Sequence, residues 1–299
     1  MMRLSRYLAT ALVVAVGAIG VPAVASMMAP PSIAILAPAA GSTVRGSTIP
    51  LRVAIHNYRL ECTNMGKTNV PMREGHYHVM VDGMDMAHLV GPFCSPSVQL
   101  SGRGLAAGRH TITVVLATDA HAMASMPTSV TFTYQPVGTK PLPAPIHNGK
   151  PTVSVLSPRD GATVAKHFTL ALGVRNFHLS CGLEGKRDIA GWGHIHVMVQ
   201  QDGETSAAPA TPLLAMMKTP MGMKAGKMMM MKSGMSRSTL MSMLGMAIPG
   251  MVGMPCTNRI PIDLSSWHSG PATIVVMLAN NDHMPTMGAA PVVLHVNIR

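Results

Sequence analysis

Gly75-His76-Tyr77-His78-Val79-Met80-Val81 returns 118 residues later as Gly193-His194-Ile195-His196-Val197-Met198-Val199. Both runs fall among short segments rich in Val, Ile and Thr that turn residues separate, the pattern of β-strands. Residues two apart on a strand point to the same face. His76 and His78 therefore project together, as do His194 and His196.

The match extends outward on both sides. Pro31–Val44 (PSIAILAPAAGSTV) pairs with Pro151–Val164 (PTVSVLSPRDGATV). His56-Asn57-Tyr58-Arg59-Leu60-Glu61-Cys62 pairs with Arg175-Asn176-Phe177-His178-Leu179-Ser180-Cys181. Cys94 pairs with Cys256, Gly108–Ala117 with Gly270–Ala279, and His121 with His283. From Cys94 onward the offset is 162, so the second copy carries 44 extra residues after its His-x-His strand.

In copy one, runs rich in Val, Ile and Thr at Ser32–Leu36, Ile49–Ile55, Tyr77–Val81, Thr111–Leu116 and Val130–Tyr134 predict strands. Turn residues separate them. About 100 residues with this rhythm suit a small sandwich. The expected fold is all-β: two tandem immunoglobulin-like β-sandwiches, the second with a Met-rich insertion. The sandwiches span 30–135 and 151–299, with the insert at roughly 204–250. The stretch 136–150, with Pro136, Pro141, Pro143 and Pro145, predicts a semi-rigid linker.

Residues 1–25 read as a signal peptide. Arg3 and Arg6 precede an apolar run from Leu8 to Val21, and Ala23-Val24-Ala25 offers a small-x-small cleavage site. The expected location is periplasmic or secreted. Four cysteines, two per copy, then predict the disulfides Cys62–Cys94 and Cys181–Cys256.

The chain has 299 residues and a formal net charge of +11, but only 12% of residues are charged and 3% aromatic. Sparse basic residues and few stacking rings exclude a nucleic-acid binder. No Ser/His/Asp order, carboxylate pair or phosphate loop stands out, so the reading is a non-enzyme.

His76 and His78, with His121 from a loop beyond a later strand, would make a three-imidazole site; His194, His196 and His283 repeat it. Imidazole suits Cu(II), Zn(II) and Ni(II). His88, Asp82, Asp119 and Asp282 are candidates to complete or orient the ligands. The competing reading gives these histidines a structural role facing the sandwich interior. His110 and His268 do not match between copies and read as surface residues.

The insert gathers much of the chain's methionine. Of 29 methionines, 14 lie between Met216 and Met254. Met221, Met223, Met228, Met229, Met230, Met231, Met241 and Met243 are the candidate ligands, since soft thioether sulfur selects Cu(I). Lys218, Lys224, Lys227, Lys232 and Arg237 are interleaved. The alternative for this cationic, apolar segment is contact with an envelope protein or a membrane surface.

The order Gly75-His76-Tyr77-His78-Val79-Met80-Val81-Asp82-Gly83, then Gly108-Arg109-His110-Thr111-Ile112, then Asp119-Ala120-His121, resembles that of uncharacterised exported bacterial β-domains with a GHxHxxVDG…GxHxI…DxH pattern. In architecture and His/Met usage the chain is similar to periplasmic copper-resistance proteins with an immunoglobulin-like barrel. That likeness implies a copper buffer, carrier or resistance protein. The alternative function is an envelope structural or interaction module.

Overall fold

The computed structural model describes residues 29–71, 73–205 and 250–299. The predicted signal peptide, and the methionines from Met216 to Met246, lie outside the described residues.

Among the described residues, eighteen strands form in two sets of nine. Copy one has β1 (Ser32–Ala37), β2 (Thr43–Gly46), β3 (Thr48–His56), β4 (Arg59–Leu60), β5 (Glu74–Val81), β6 (Leu89–Phe93), β7 (Ser97–Ser101), β8 (Gly108–Thr118) and β9 (Thr128–Pro136). Copy two has β10 (Thr152–Ser157), β11 (Ala162–Val164), β12 (His167–Arg175), β13 (His178–Leu179), β14 (Trp192–Gln200), β15 (Met251–Gly253), β16 (Arg259–Asp263), β17 (Gly270–Asn280) and β18 (Val292–Ile298).

Each copy folds into a three-stranded and a six-stranded sheet. In copy one these run β1-β3-β7 and β2-β9-β8-β5-β4, with β6 added against β5. Copy two repeats the order strand for strand: β10-β12-β16 and β11-β18-β17-β14-β13, with β15 against β14. The chain is thus all-β, two tandem immunoglobulin-like sandwiches. The five runs predicted for copy one fall within β1, β3, β5, β8 and β9. The short strands β2, β4, β6 and β7 have too few residues to show a period.

Alternation decides which side of β5 enters the core. Tyr77, Val79 and Val81 pack with Ile112, Val114 and Leu116 of β8 and with Ile49 and Leu51 of β3. In copy two, Ile195, Val197 and Val199 pack with Ile274, Val276 and Leu278 around Trp267. Both disulfides form as expected, Cys62–Cys94 and Cys181–Cys256. Each ties the end of the short strand β4 or β13 to the end of β6 or β15.

The glycine that precedes each His-x-His pair is required by close approach. A Cβ at Gly75 would collide with the carbonyl of Ala117, and one at Gly193 with that of Ala279. Each belongs to the neighbouring strand, β8 or β17, so only glycine admits this spacing.

The proline-rich stretch is held along both sandwiches. The Arg103 guanidinium donates to the Pro141 carbonyl at 2.9 Å, and the Trp192 indole donates to the Ala144 carbonyl at 3.1 Å. The Ile146 amide donates to the Ala190 carbonyl at 2.8 Å.

Candidate metal centre

The histidines of β5 and β14 do not face their own sandwich interiors, as the structural reading of the sequence had it. They lie on the opposite face of the strand from Tyr77, Val79 and Val81, or from Ile195, Val197 and Val199. Even so they are sealed. His76 and His194 are 0% exposed, and no member of either trio exceeds 5%. A β5 strand buried on both faces needs a second cover, and the other sandwich supplies part of it.

The third histidine arrives through a tight reversal. After β8 the chain doubles back, with Ala117 bridged to Met123; after β17, Ala279 is bridged to Pro285. The His121 amide donates to the Thr118 carbonyl at 2.8 Å, and the His283 amide to the Asn280 carbonyl at 3.0 Å. Both residues take left-handed backbone conformations, φ 62° and 66°. That region is uncommon for a non-glycine residue, and its recurrence at both histidines marks a held conformation.

The three rings converge. His76 Nε2 and His78 Nε2 are 3.0 Å apart, and His78 Nε2 is 3.3 Å from His121 Nδ1. His194 Nε2 and His196 Nε2 are 2.9 Å apart. In each trio, one nitrogen from every ring lies within 4.8 Å of the other two. Copy two reproduces the ring spacings of copy one: 4.8, 4.5 and 5.6 Å against 4.9, 4.5 and 5.8 Å. Nitrogens each about 2.0–2.1 Å from a shared tetrahedral ion would stand roughly 3.3 Å apart, so the spacing suits a common ligand set.

Burial keeps these rings neutral, the form that binds metal. It pushes His76 and His78 well below the ordinary histidine value, helped by repulsion from His121. It takes His121 down to about 4, His196 to about 3 and His194 to about 2. His283 is lowered as well, its hydrogen bond to Leu89 acting in the other direction.

Tautomers follow from the partners. His121 Nε2 lies 3.0 Å from the Met251 carbonyl, and His283 Nε2 lies 2.8 Å from that of Leu89. A carbonyl only accepts, so Nε2 carries the proton in both and Nδ1 keeps its lone pair for the site. The Nδ1 atoms of His76, His78 and His194 have no hydrogen-bond partner among the described residues.

The carboxylates near these histidines in sequence do not join them. Asp82 accepts from His110 Nδ1 at 2.6 Å and from the Thr111 amide at 2.9 Å. His110 is therefore a buried partner of Asp82 and not a surface residue; a β8 position facing the core brings it there. His268 is exposed, as expected, and pairs with Glu204 at 2.9 Å. His88 pairs with Asp85 at 2.7 Å. Asp119 is fully buried near Glu74 and Glu61, its carboxyl raised to about 7 by burial. Asp282 caps the Met284 amide at 3.0 Å. Cys181, Glu184 and Cys256 also cluster, but both sulfurs are spent in the disulfide.

Two lysines went unnoticed in the sequence. Lys67 meets Glu204 of the second copy at 3.0 Å, both side chains buried. Lys186 occupies the matching position, and its Nζ has no hydrogen-bond partner among the described residues. The dipeptides Gly66-Lys67 and Gly185-Lys186, each four residues past an aligned cysteine, were the available signal. Glu204, read as the first insert residue, is fully buried and helps join the two copies. A cleft of about 800 Å³ also lies between the copies, lined by Val90, Phe93, Glu184 and Val252; none of the six histidines borders it.

The class defined here is a disulfide-bonded tandem β-sandwich with two buried three-histidine groups. The disulfides fit a non-cytoplasmic compartment. No helix among the described residues is long and apolar enough to cross a membrane. No family model matches the chain, and no curated protein does. Among solved structures, it is similar to the fibronectin(III)-like modules of CbhA from Clostridium thermocellum: 9% identity, 90% of this chain, 94% of that one, TM-score 0.25. The N-terminal four Ig domains of Dscam1 isoform 6.44 match at 7% identity over 91% of this chain and 46% of that one, TM-score 0.20. The Bacteroides ovatus mixed-linkage glucan protein SGBP-B matches at 12% over 90% and 47%, TM-score 0.20. At these values nothing about binding or activity carries over.

Proposed function

We propose that this chain is an exported metal-binding protein that holds one ion in each histidine trio and serves as a copper buffer, carrier or resistance protein. His76, His78 and His121 form one site, and His194, His196 and His283 the other. The observation that carries this reading is the convergence of three neutral imidazoles twice over, each trio closed by a left-handed histidine with its lone pair directed inward. Three imidazoles suit Cu(II), with zinc and nickel as the other metals that such a set accepts. The burial favours holding an ion over catalysis, because catalytic sites keep an open position. The stretch with Met221, Met223, Met228 to Met231, Met241 and Met243 would take Cu(I), a reading that rests on ligand type alone. The N-terminal signal and the disulfides support a periplasmic or secreted location.

Titration of the full mature chain with Cu(II), and with Cu(I) under reducing conditions, tests this. Two Cu(II) equivalents binding more tightly than micromolar are expected. At a free concentration 100 times Kd the melting temperature should rise by roughly 5–10 °C. No binding tighter than micromolar in either oxidation state overturns the proposal. Removing residues 206–249 should abolish Cu(I) binding and spare Cu(II).

One observation favours a second reading, an envelope interaction module with structural histidines. A metal-bound imidazole ordinarily donates its other N–H to a carboxylate or carbonyl. Among the described residues, His76, His78 and His194 have no such partner. A proton shared between His76 and His78 could hold the rings together without metal. An unchanged melting temperature across the metal titration supports that reading.

A further inference from the structure

The two trios lean on each other. Leu89 opens β6, which pairs with β5, the strand of His76 and His78. Met251 opens β15, which pairs with β14, the strand of His194 and His196. His121 donates to Met251, and His283 donates to Leu89. Each bond therefore joins the closing histidine of one trio to the ladder that carries the other. The 162-residue offset that relates His121 to His283 also relates Leu89 to Met251. The contact is reciprocal, as in a two-fold dimer, but within one chain.

The surrounding contacts keep this register. The Gly250 amide donates to the Gly66 carbonyl at 2.7 Å, and the Thr68 amide to the Glu204 carbonyl at 2.7 Å. A Cβ on Gly66 would come within 2.9 Å of the Gly250 backbone, and one on Gly185 within 2.8 Å of the His88 and Leu89 carbonyls. Both glycines have positive φ, 94° and 66°. At both places, backbone of one sandwich lies against backbone of the other.

We propose that the two histidine trios form one coupled two-site centre, each assembled by docking of the opposite sandwich. This rests on the metal-binding reading above and adds its regulation. Leu89 and Met251 act as positioning residues through their carbonyls. They fix the tautomer and angle of His283 and His121, so an undocked sandwich offers two aligned imidazoles and a third free to turn. Linkage makes the effect mutual: if docking tightens metal binding by a given factor, metal tightens docking by the same factor.

The test uses the full mature chain, with Cu(II) and Zn(II) ions as probes. Gly185→Val wedges the interface at Leu89. A second variant, Lys67→Met with Glu204→Gln, removes the buried ion pair away from both trios without adding bulk. Small-angle scattering identifies the variant in which the sandwiches separate, and intact disulfides with wild-type circular dichroism show that each remains folded. In a separated variant, affinity at both trios should fall 10–100-fold, the usual cost of losing the partner that orients a metal-bound imidazole. Excess metal should restore the compact form. Separated sandwiches that bind Cu(II) and Zn(II) with wild-type affinity overturn the coupling and leave the metal sites standing. A wild-type chain that binds neither ion overturns both.

Discussion

The two copies share nine strands, a disulfide and three histidines, and they differ where they meet. Lys67 finds Glu204, while its counterpart Lys186 finds no such partner among the described residues. The acid whose charge acts on Lys186 is Asp82, whose oxygens already accept from His110 and Thr111. Met65 is buried in copy one, and the aligned position in copy two holds Glu184, also buried. The loop after β14 is long and that after β5 short, so acids at comparable places reach different partners. Symmetric backbone contacts therefore carry asymmetric charge. The docking surface is built for one arrangement, with copy one's lysine against copy two's acid.

The largest effect expected from this comparison concerns the bridges. Cys62–Cys94 spans 32 residues and Cys181–Cys256 spans 75, because the insert lies inside the second loop. Loop-closure entropy then assigns about 3.7 kcal/mol to the first and about 4.5 kcal/mol to the second. Replacing both cysteines of a bridge by serine, and measuring urea unfolding, should show the greater loss in copy two. Removing residues 206–249 should bring the two losses together. A larger loss in copy one would show that loop length does not set the order.

Next is the pair of lysines. Lys67→Met takes the ammonium from the buried Glu204 carboxylate and leaves it only His268, and should cost about 3 kcal/mol in denaturant unfolding. Lys186→Met removes an ammonium held in a poor environment. Burial lowers its pKa to about 8, so replacing it should leave stability unchanged or raise it. Equal losses at the two positions would break the asymmetry argued above.

Much of this is legible in the sequence. The His-x-His strand, the duplicated order and the aligned cysteines gave the sandwiches and the bridges, because period and spacing are local. Equal spacing beyond an aligned strand gave His121 and His283 as companions of their trios. The docking face was not legible. That His76 and His78 would be sealed on the side away from their own core depends on a sandwich more than 100 residues distant in sequence. The same holds for Lys67 and Glu204, which look like ordinary surface charges until the copies are brought together. His110 reads as a surface residue for want of a match in copy two, although its parity with Ile112, Val114 and Leu116 on β8 puts it on the core side.

The smallest effect isolates Glu184. Burial beside the cleft raises its carboxyl from 4.5 to about 8. The unfolded chain releases this proton near pH 4.5, while the folded chain holds it until about pH 8. Across that window the folded state binds more protons, so this group makes stability fall as pH rises. Below pH 4.5 both states are protonated, and it contributes no slope. Glu184→Met places in copy two the residue that copy one has at Met65. It should remove this part of the pH dependence, with a gain at pH 8 that shrinks towards pH 5. Urea unfolding at the two pH values measures it. A gain of the same size at both would mean that the methionine acts through packing alone, and that the carboxyl of Glu184 is not held protonated by the fold.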